Sequence, residues 1–239
     1  MRVAFISDIH GNAVALRAVL EDIEQTGCQE IYVLGDICYR GPDPKECLEL
    51  VQSVATDVIK GNADEWVVNG VQRGQVPEQR LMVMRAEQQF TVNQLTTGDI
   101  QYLDQLPLTL AKSTGGIDWF AFHATPNDLF AIVQATTEEE IVERQIFGAR
   151  EAAVYLYGHI HLPYVREMNQ RTIVNLGSVG LPFDGIPEAS YVVLDFDATR
   201  VNINLRRVPY DIDEAIRRLR EVDYPNAPYI SKVYREGRP

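Results

Sequence analysis

No stretch of this sequence reaches the ~18 consecutive apolar residues that a membrane span requires, and the opening apolar run at residues 2–7 is too short for a secretory signal. Basic residues are in short supply: 22 Lys and Arg stand against 34 Asp and Glu, a formal net charge of −12. Nucleic-acid surfaces need clustered Lys and Arg for phosphate contacts, so none is expected here. Cysteine is scarcer, with three residues and no C-x-x-C spacing, which indicates neither a disulfide framework nor a zinc finger. The expectation is a cytoplasmic, reduced setting with no membrane partner. Histidine is nearly as rare, at four residues in the chain.

What is present is ordinary for a globular protein, with 46% hydrophobic and 23% charged residues. A chain of this length buries about 70–75% of its unfolded surface and needs no covalent staples. One domain over residues 1–239 is expected. Short β-branched and aromatic runs at 2–7, 30–35, 56–60, 108–112, 118–123 and 152–158 alternate with helical patterns at 12–25, 44–54 and 138–147, the mark of βαβ units. Residues from about 65 to 106 are polar and helical in pattern without a clear strand, and predict a helical insertion beside the sheet. Within it Trp66, Met82, Met84 and Phe90 read as helix-packing residues. After His161 a hairpin over 164–178, turning at Asn169 and Gln170, and alternating strands at 189–197 and 200–208 predict a second, antiparallel-rich sheet. A helix fits 211–222, and the proline-marked tail reads as surface-bound or frayed.

Five of the expected strands end in chemistry. The run at 3–7 leads into Asp8 and His10, that at 31–35 into Asp36, and that at 56–61 into Asn62. The runs at 118–122 and 153–158 lead into His123 and into His159 and His161. Ligands of open α/β sheets collect beyond the carboxyl ends of the strands, so these side chains share one rim. A lone histidine is usually a satisfied core or surface residue; all four at equivalent topological positions, beside Asp8, Asp36 and Asn62, are not. In D-x-H and H-x-H segments alternate side chains leave the backbone on one side, so one loop can serve one or two ions. The mixed oxygen and nitrogen donors, without thiolate, suit a borderline divalent metal. Seven candidate ligands are too many for one tetrahedral ion and suit two, about 3.5–4 Å apart, clamping an in-line phosphoryl displacement.

The quoted motifs D-I-H-G-N (8–12), G-D-I-C-Y-R-G-P (35–42), G-N-A-D (61–64), the His of HATP (123–126) and G-H-I-H (158–161) resemble, in order and spacing, the five motifs of the calcineurin-like metallophosphoesterase superfamily. N-L-G-S-V-G (175–180) resembles the glycine turn that closes the site in that family. The resemblance is nearest to the small bacterial and archaeal phosphodiesterase branch. The R-G-P extension is also similar to diadenosine tetraphosphate hydrolases and Ser/Thr phosphatases.

This resemblance implies a four-layer α/β/β/α sandwich of two facing mixed sheets. It implies two divalent metal ions, manganese foremost, with iron, zinc, nickel or cobalt as the other candidates. Asp8, His10 and His161 would bind the first ion, Asn62, His123 and His159 the second, and Asp36 would bridge them. Arg40 would grip the substrate phosphate, to which a guanidinium offers a planar, permanently charged fork. Arg40, Asn62 and Asp36 are thus the expected catalytic set, acting on a small phosphoester or nucleotide by attack of a metal-bridging hydroxide. Dinucleoside polyphosphate hydrolysis is the narrower alternative, and a non-catalytic scaffold of the same fold is the alternative from another class.

One departure bears on chemistry. Many members carry a histidine directly after Gly-Asn to protonate the leaving group, with an acid beside it to orient it. Here that position is Ala63, and Asp64 is left to cap the helix that follows. Leaving groups that are already weak bases need no such acid, which favours phosphoanhydrides and activated diesters. Asn12 is expected to cap a helix or support the metal loop, Cys38 to fill a small buried space, and Asn175, Gly177, Ser178 and Gly180 to shape a turn.

Overall fold

A computed structural model describes residues 1–197 and 200–239. Two five-stranded sheets face one another with helices outside, a four-layer α/β/β/α sandwich. The first sheet contains β1 (Arg2–Ile6), β2 (Glu30–Val33), β3 (Asp57–Val58), β9 (Ala189–Phe196) and β10 (Val201–Val208), in the order β10-β9-β1-β2-β3. The second holds β4 (Thr109–Thr114), β5 (Ile117–Phe122), β6 (Val154–Tyr157), β7 (Tyr164–Met168) and β8 (Arg171–Asn175), in the order β4-β5-β6-β8-β7.

The period of two along each strand builds the layers. Val3 and Phe5 face inward with Tyr32 and Leu34, meeting Trp119, Ala121, Val154, Leu156 and Val174 of the other sheet. Phe5 and Trp119 pack edge to face, with centroids 5.0 Å apart, a geometry that adds to the area they bury. The intervening Ala4, Ile6 and Val33 face outward onto α1 (Ala13–Thr26) and α2 (Pro44–Val54). Phe120, Phe122, Tyr155 and Tyr157 turn away from the sandwich centre, onto Val142 of α6 (Glu139–Gln145) and Phe147.

Local signals set the helix ends. The Asn12 side chain accepts from the Ala15 N–H to cap α1, and Gly27 stops it in the left-handed region at φ +69°. Proline opens α2 at its first position, where no N–H is needed. The insertion carries α3 (Asn62–Asn69), α4 (Glu78–Gln94) and α5 (Thr97–Gln105) and no strand. Asn169 and Gln170 both adopt positive φ, as a tight hairpin turn requires.

Three expectations change. The strands at 189–197 and 200–208 do not open a second sheet: β9 pairs antiparallel with β1, and only the hairpin β7–β8 joins the other sheet. Alternation reports which face of a strand meets solvent, not which strand it pairs with, and β9 is in fact buried at nearly every position. The tail is not frayed. After α7 (Ile212–Glu221), residues Ala227–Glu236 form α8, whose Ile230, Val233 and Tyr234 recur at helical spacing and are buried against α7. Met82 is exposed, because α4 buries Leu81, Met84, Glu87 and Thr91 instead. Among the described residues no helix is long and apolar enough to cross a membrane.

Candidate metal centre

β1, β2, β3, β5 and β6 end at one rim, and the loops that leave them are held in unusual backbone conformations. Of nine described non-glycine residues with positive φ, six stand here: Asp8, His10, Asp36, Arg40, His159 and His161. Such conformations cost about 1–3 kcal/mol each and persist where the surroundings over-determine them. The loops are in fact cross-braced: Asp8 N–H donates to Gly35 O at 3.1 Å, His10 N–H to Asp36 O at 2.9 Å, and Gly180 N–H to Asp8 O at 3.0 Å. Ser178 Oγ also donates to Asp8 O, and Asn175 Nδ2 to Gly158 O. Glycine is required where these loops touch. A methyl group at Gly61 would strike the Asp36 carboxylate, and one at Gly158 would strike that of Asp8.

All seven expected ligands converge. Asp8, His10, Asp36 and His161 are buried and place one donor atom each within 4.8 Å of the others. His10 Nδ1 lies 2.9 Å from Tyr39 O, His123 Nδ1 2.7 Å from Leu34 O, and His161 Nδ1 2.5 Å from Leu181 O. A carbonyl only accepts, so each Nδ1 carries a proton and each Nε2 faces inward, with a lone pair wherever the ring is neutral. His10 Nε2 and His161 Nε2 then face one another at 3.1 Å. His123 Nε2 is 3.0 Å from Asn62 Oδ1 and 3.4 Å from Asp36 Oδ1. His159 Nδ1 lies 2.7 Å from the same Asn62 oxygen.

Acceptors facing acceptors repel unless a cation lies among them. Asp8 Oδ1 strengthens the case: it is buried without a hydrogen-bond partner, although His161 Nε2 is 3.1 Å away. An orphaned carboxylate oxygen beside inward-turned imidazoles fits a divalent ion, and the oxygen–nitrogen donor set has the chemistry for one.

The electrostatics agree. Burial pushes His10 down and His161 adds to that, leaving its pKa at about 4. Burial and then His123 do the same to His159, also to about 4. Burial would lower His123 too, but the Asp36 and Asp8 carboxylates reverse this and raise it to about 10. Burial opposes ionisation of Asp36, yet His123, His10 and the Ala63 N–H, 2.7 Å from Oδ1, hold it below the usual carboxylate range.

One residue takes a role that differs from expectation. Asp64 is not the residue that precedes the helix but the third within α3. Its carboxylate accepts from the N–H groups of Gly61 (2.8 Å), Asp36 (2.8 Å) and Ile37 (3.0 Å), tying the third motif to the second. Arg40 follows Tyr39, whose carbonyl holds His10, and its Nε lies 3.8 Å from Glu87 Oε2. Glu87 had no clear signal in the sequence: α4 is polar on all sides, and only its packing puts Glu87 on the buried stripe with Leu81, Met84 and Thr91. Phe183, likewise unforeseen, stacks on His161 with centroids 4.3 Å apart.

Comparison with known proteins bears on the same rim. Residues 1–199 match the model of the calcineurin-like phosphoesterase superfamily domain. The chain is 30% identical to the uncharacterized protein MJ0912 of Methanocaldococcus jannaschii over 238 residues, 91% of each chain. It is 28% identical to phosphodiesterase YfcE of Escherichia coli over 211 residues, 84% of this chain and 91% of that one. A metallophosphoesterase structure from Sphaerobacter thermophilus superposes with a TM-score of 0.80 at 30% identity, covering 99% of both chains. The two-sheet sandwich, the rim of inward-turned acceptors and the match over residues 1–199 agree: this chain belongs to the calcineurin-like phosphoesterase superfamily and is a phosphoester hydrolase.

Proposed function

We propose that this chain hydrolyses phosphodiester or phosphoanhydride bonds at a centre of two divalent ions, with manganese as the first choice of metal. Asp8, His10 and His161 hold one ion, Asn62, His123 and His159 the other, and Asp36 reaches both. When bound, such a pair lowers the pKa of water and neutralises charge on the phosphoryl oxygens. The Nδ1–H···O=C bonds of His10, His123 and His161 fix the tautomer and ring plane before substrate arrives. Arg40 and the Asn62 amide stabilise charge on the substrate phosphate, a positioning and electrostatic mechanism without a covalent intermediate.

The observation that carries this reading is the convergence of Asp8, His10, Asp36 and His161, one donor atom each within 4.8 Å of the others, beside Asn62, His123 and His159, with Asp8 Oδ1 left without a hydrogen-bond partner. A scaffold has no use for such a set. The leaving group departs without help from residue 63, a methyl group, or from Asp64, whose oxygens are committed to three backbone N–H groups. Substrates with weakly basic leaving groups are therefore favoured.

One observation supports the narrower dinucleoside polyphosphate reading. The Arg40 and Arg80 guanidinia both lie against the Tyr229 ring, 5.6 and 4.6 Å from its centroid, a cationic and aromatic track suited to further phosphates or a base. The test is a panel with chelator-stripped protein reloaded with Mn²⁺: bis-p-nitrophenyl phosphate, an alkyl monoester and diadenosine tetraphosphate. Turnover of the first or third above the monoester is expected. Absence of turnover with every divalent metal tried would hand the case to the scaffold.

A further inference from the structure

Glu87 comes from the middle of α4, in the helical insertion, and its side chain is fully buried. Its Oε1 accepts from Asn226 Nδ2 at 3.0 Å, in the segment leading to α8. Its Oε2 is buried without a hydrogen-bond partner and lies 3.8 Å from Arg40 Nε, which is buried and equally without one. Burying a charged side chain is costly unless it is paired, and among the described residues Arg40 is the cation within 4.0 Å of this carboxylate. The Arg40 side chain keeps 14% of its surface exposed. Nε itself is buried against Glu87, so that exposure lies elsewhere on the side chain, whose Cζ faces the Tyr229 ring at 5.6 Å. A guanidinium binds phosphate through paired N–H groups, so an anchor at Nε leaves the Nη pair as the binding edge. The backbone adds a second constraint, since Arg40 sits at φ +77° directly after the carbonyl that orients His10.

We propose that Glu87 is a positioning residue for the hydrolysis. It holds the Nε edge of Arg40 from behind so that the terminal nitrogens are presented to the substrate phosphate, which makes the helical insertion a working part of the site. The inference rests on the reading of Arg40 as the phosphate grip, and goes beyond it by naming what aims that grip.

The test is a double-mutant cycle in kcat/KM with Mn²⁺-loaded protein and bis-p-nitrophenyl phosphate, with metal content measured for each variant. Glu87→Gln keeps the volume and an acceptor for Asn226 but removes the charge. It is expected to lower kcat/KM about 10-fold, mainly through KM, with metal content unchanged. Arg40→Ala is expected to lower it further, and adding Glu87→Gln to Arg40→Ala to change it less than about 2-fold, because Glu87 acts through Arg40 alone. A further tenfold fall in the double variant, or loss of metal in Glu87→Gln, would make Glu87 structural and overturn the proposal. Wild-type kcat/KM in Arg40→Ala would instead remove the grip itself. Should Glu87→Gln not accumulate as folded protein, Glu87→Asp serves: it keeps the charge and withdraws it by one methylene. An intermediate loss confined to the Arg40 background supports positioning, and equal losses in both backgrounds refute it.

Discussion

His10 and His161, 151 positions apart in the chain, point their Nε2 atoms at one another across 3.1 Å while each Nδ1 is tied to a backbone carbonyl. Two lone pairs held in that opposition store repulsion that a cation converts into attraction. Stability, metal affinity and pH response therefore meet at this contact.

Metal loading should release protons. His123 has its pKa raised from 6.5 to about 10, so metal-free protein carries a proton on it near neutral pH, while His10 and His159, at about 4, are already neutral. A raised folded pKa means stabilisation that is present below about 6.5 and lost as pH climbs through about 10, so metal competes better with the proton as pH rises. Calorimetric titration of Mn²⁺ into stripped protein, in buffers of different ionisation enthalpy, should show at least about one proton released per chain near pH 7, that of His123, with any from metal-bound water in addition. Zero release would mean that His123 is not a ligand.

Asp36→Asn removes a charge from the carboxylate proposed to serve both ions. We expect kcat/KM on bis-p-nitrophenyl phosphate to fall at least about 100-fold, and bound metal to drop from roughly two ions per chain to one or fewer. Full activity in this variant would end the bridging role.

Ala63→His restores a proton donor where the chain has a methyl group. Activity on an alkyl monoester should rise about 10-fold relative to bis-p-nitrophenyl phosphate, below the ~10²–10⁴-fold of a well-positioned general acid because Asp64 is committed to backbone N–H groups and cannot orient the new ring. An unchanged ratio would show that leaving-group protonation does not limit monoester hydrolysis.

Phe5→Ala tests the core between the sheets. Phe5 is fully buried, stacked on Tyr32 and edge-on to Trp119, so its removal should cost about 3–5 kcal/mol in urea denaturation. A loss under about 1 kcal/mol would mean that the sheets repack around the gap.

The strand ends were legible because each motif is local: an apolar run of four to six residues stops, and an Asp, Asn or His follows within a few positions. The start of α1 was legible for the same reason, since Asn12 acts on a backbone group within one turn. Pairing of β9 with β1 was not legible, because an alternating strand advertises its buried face and not its neighbour. The tail was misread because its prolines outweighed the Ile230, Val233 and Tyr234 stripe, although proline near a helix start breaks nothing.

By itself the sequence determined which donor atoms the chain owns, their order, and that each follows a strand, because those are matters of residue type and short-range periodicity. Only the tertiary structure decided that His10 meets His161, that Asp8 keeps an oxygen without a hydrogen-bond partner, and that Glu87 of the insertion lies behind Arg40. Those relations join residues tens to more than a hundred positions apart. They arise from the packing of whole sheets and helices, which no local pattern encodes.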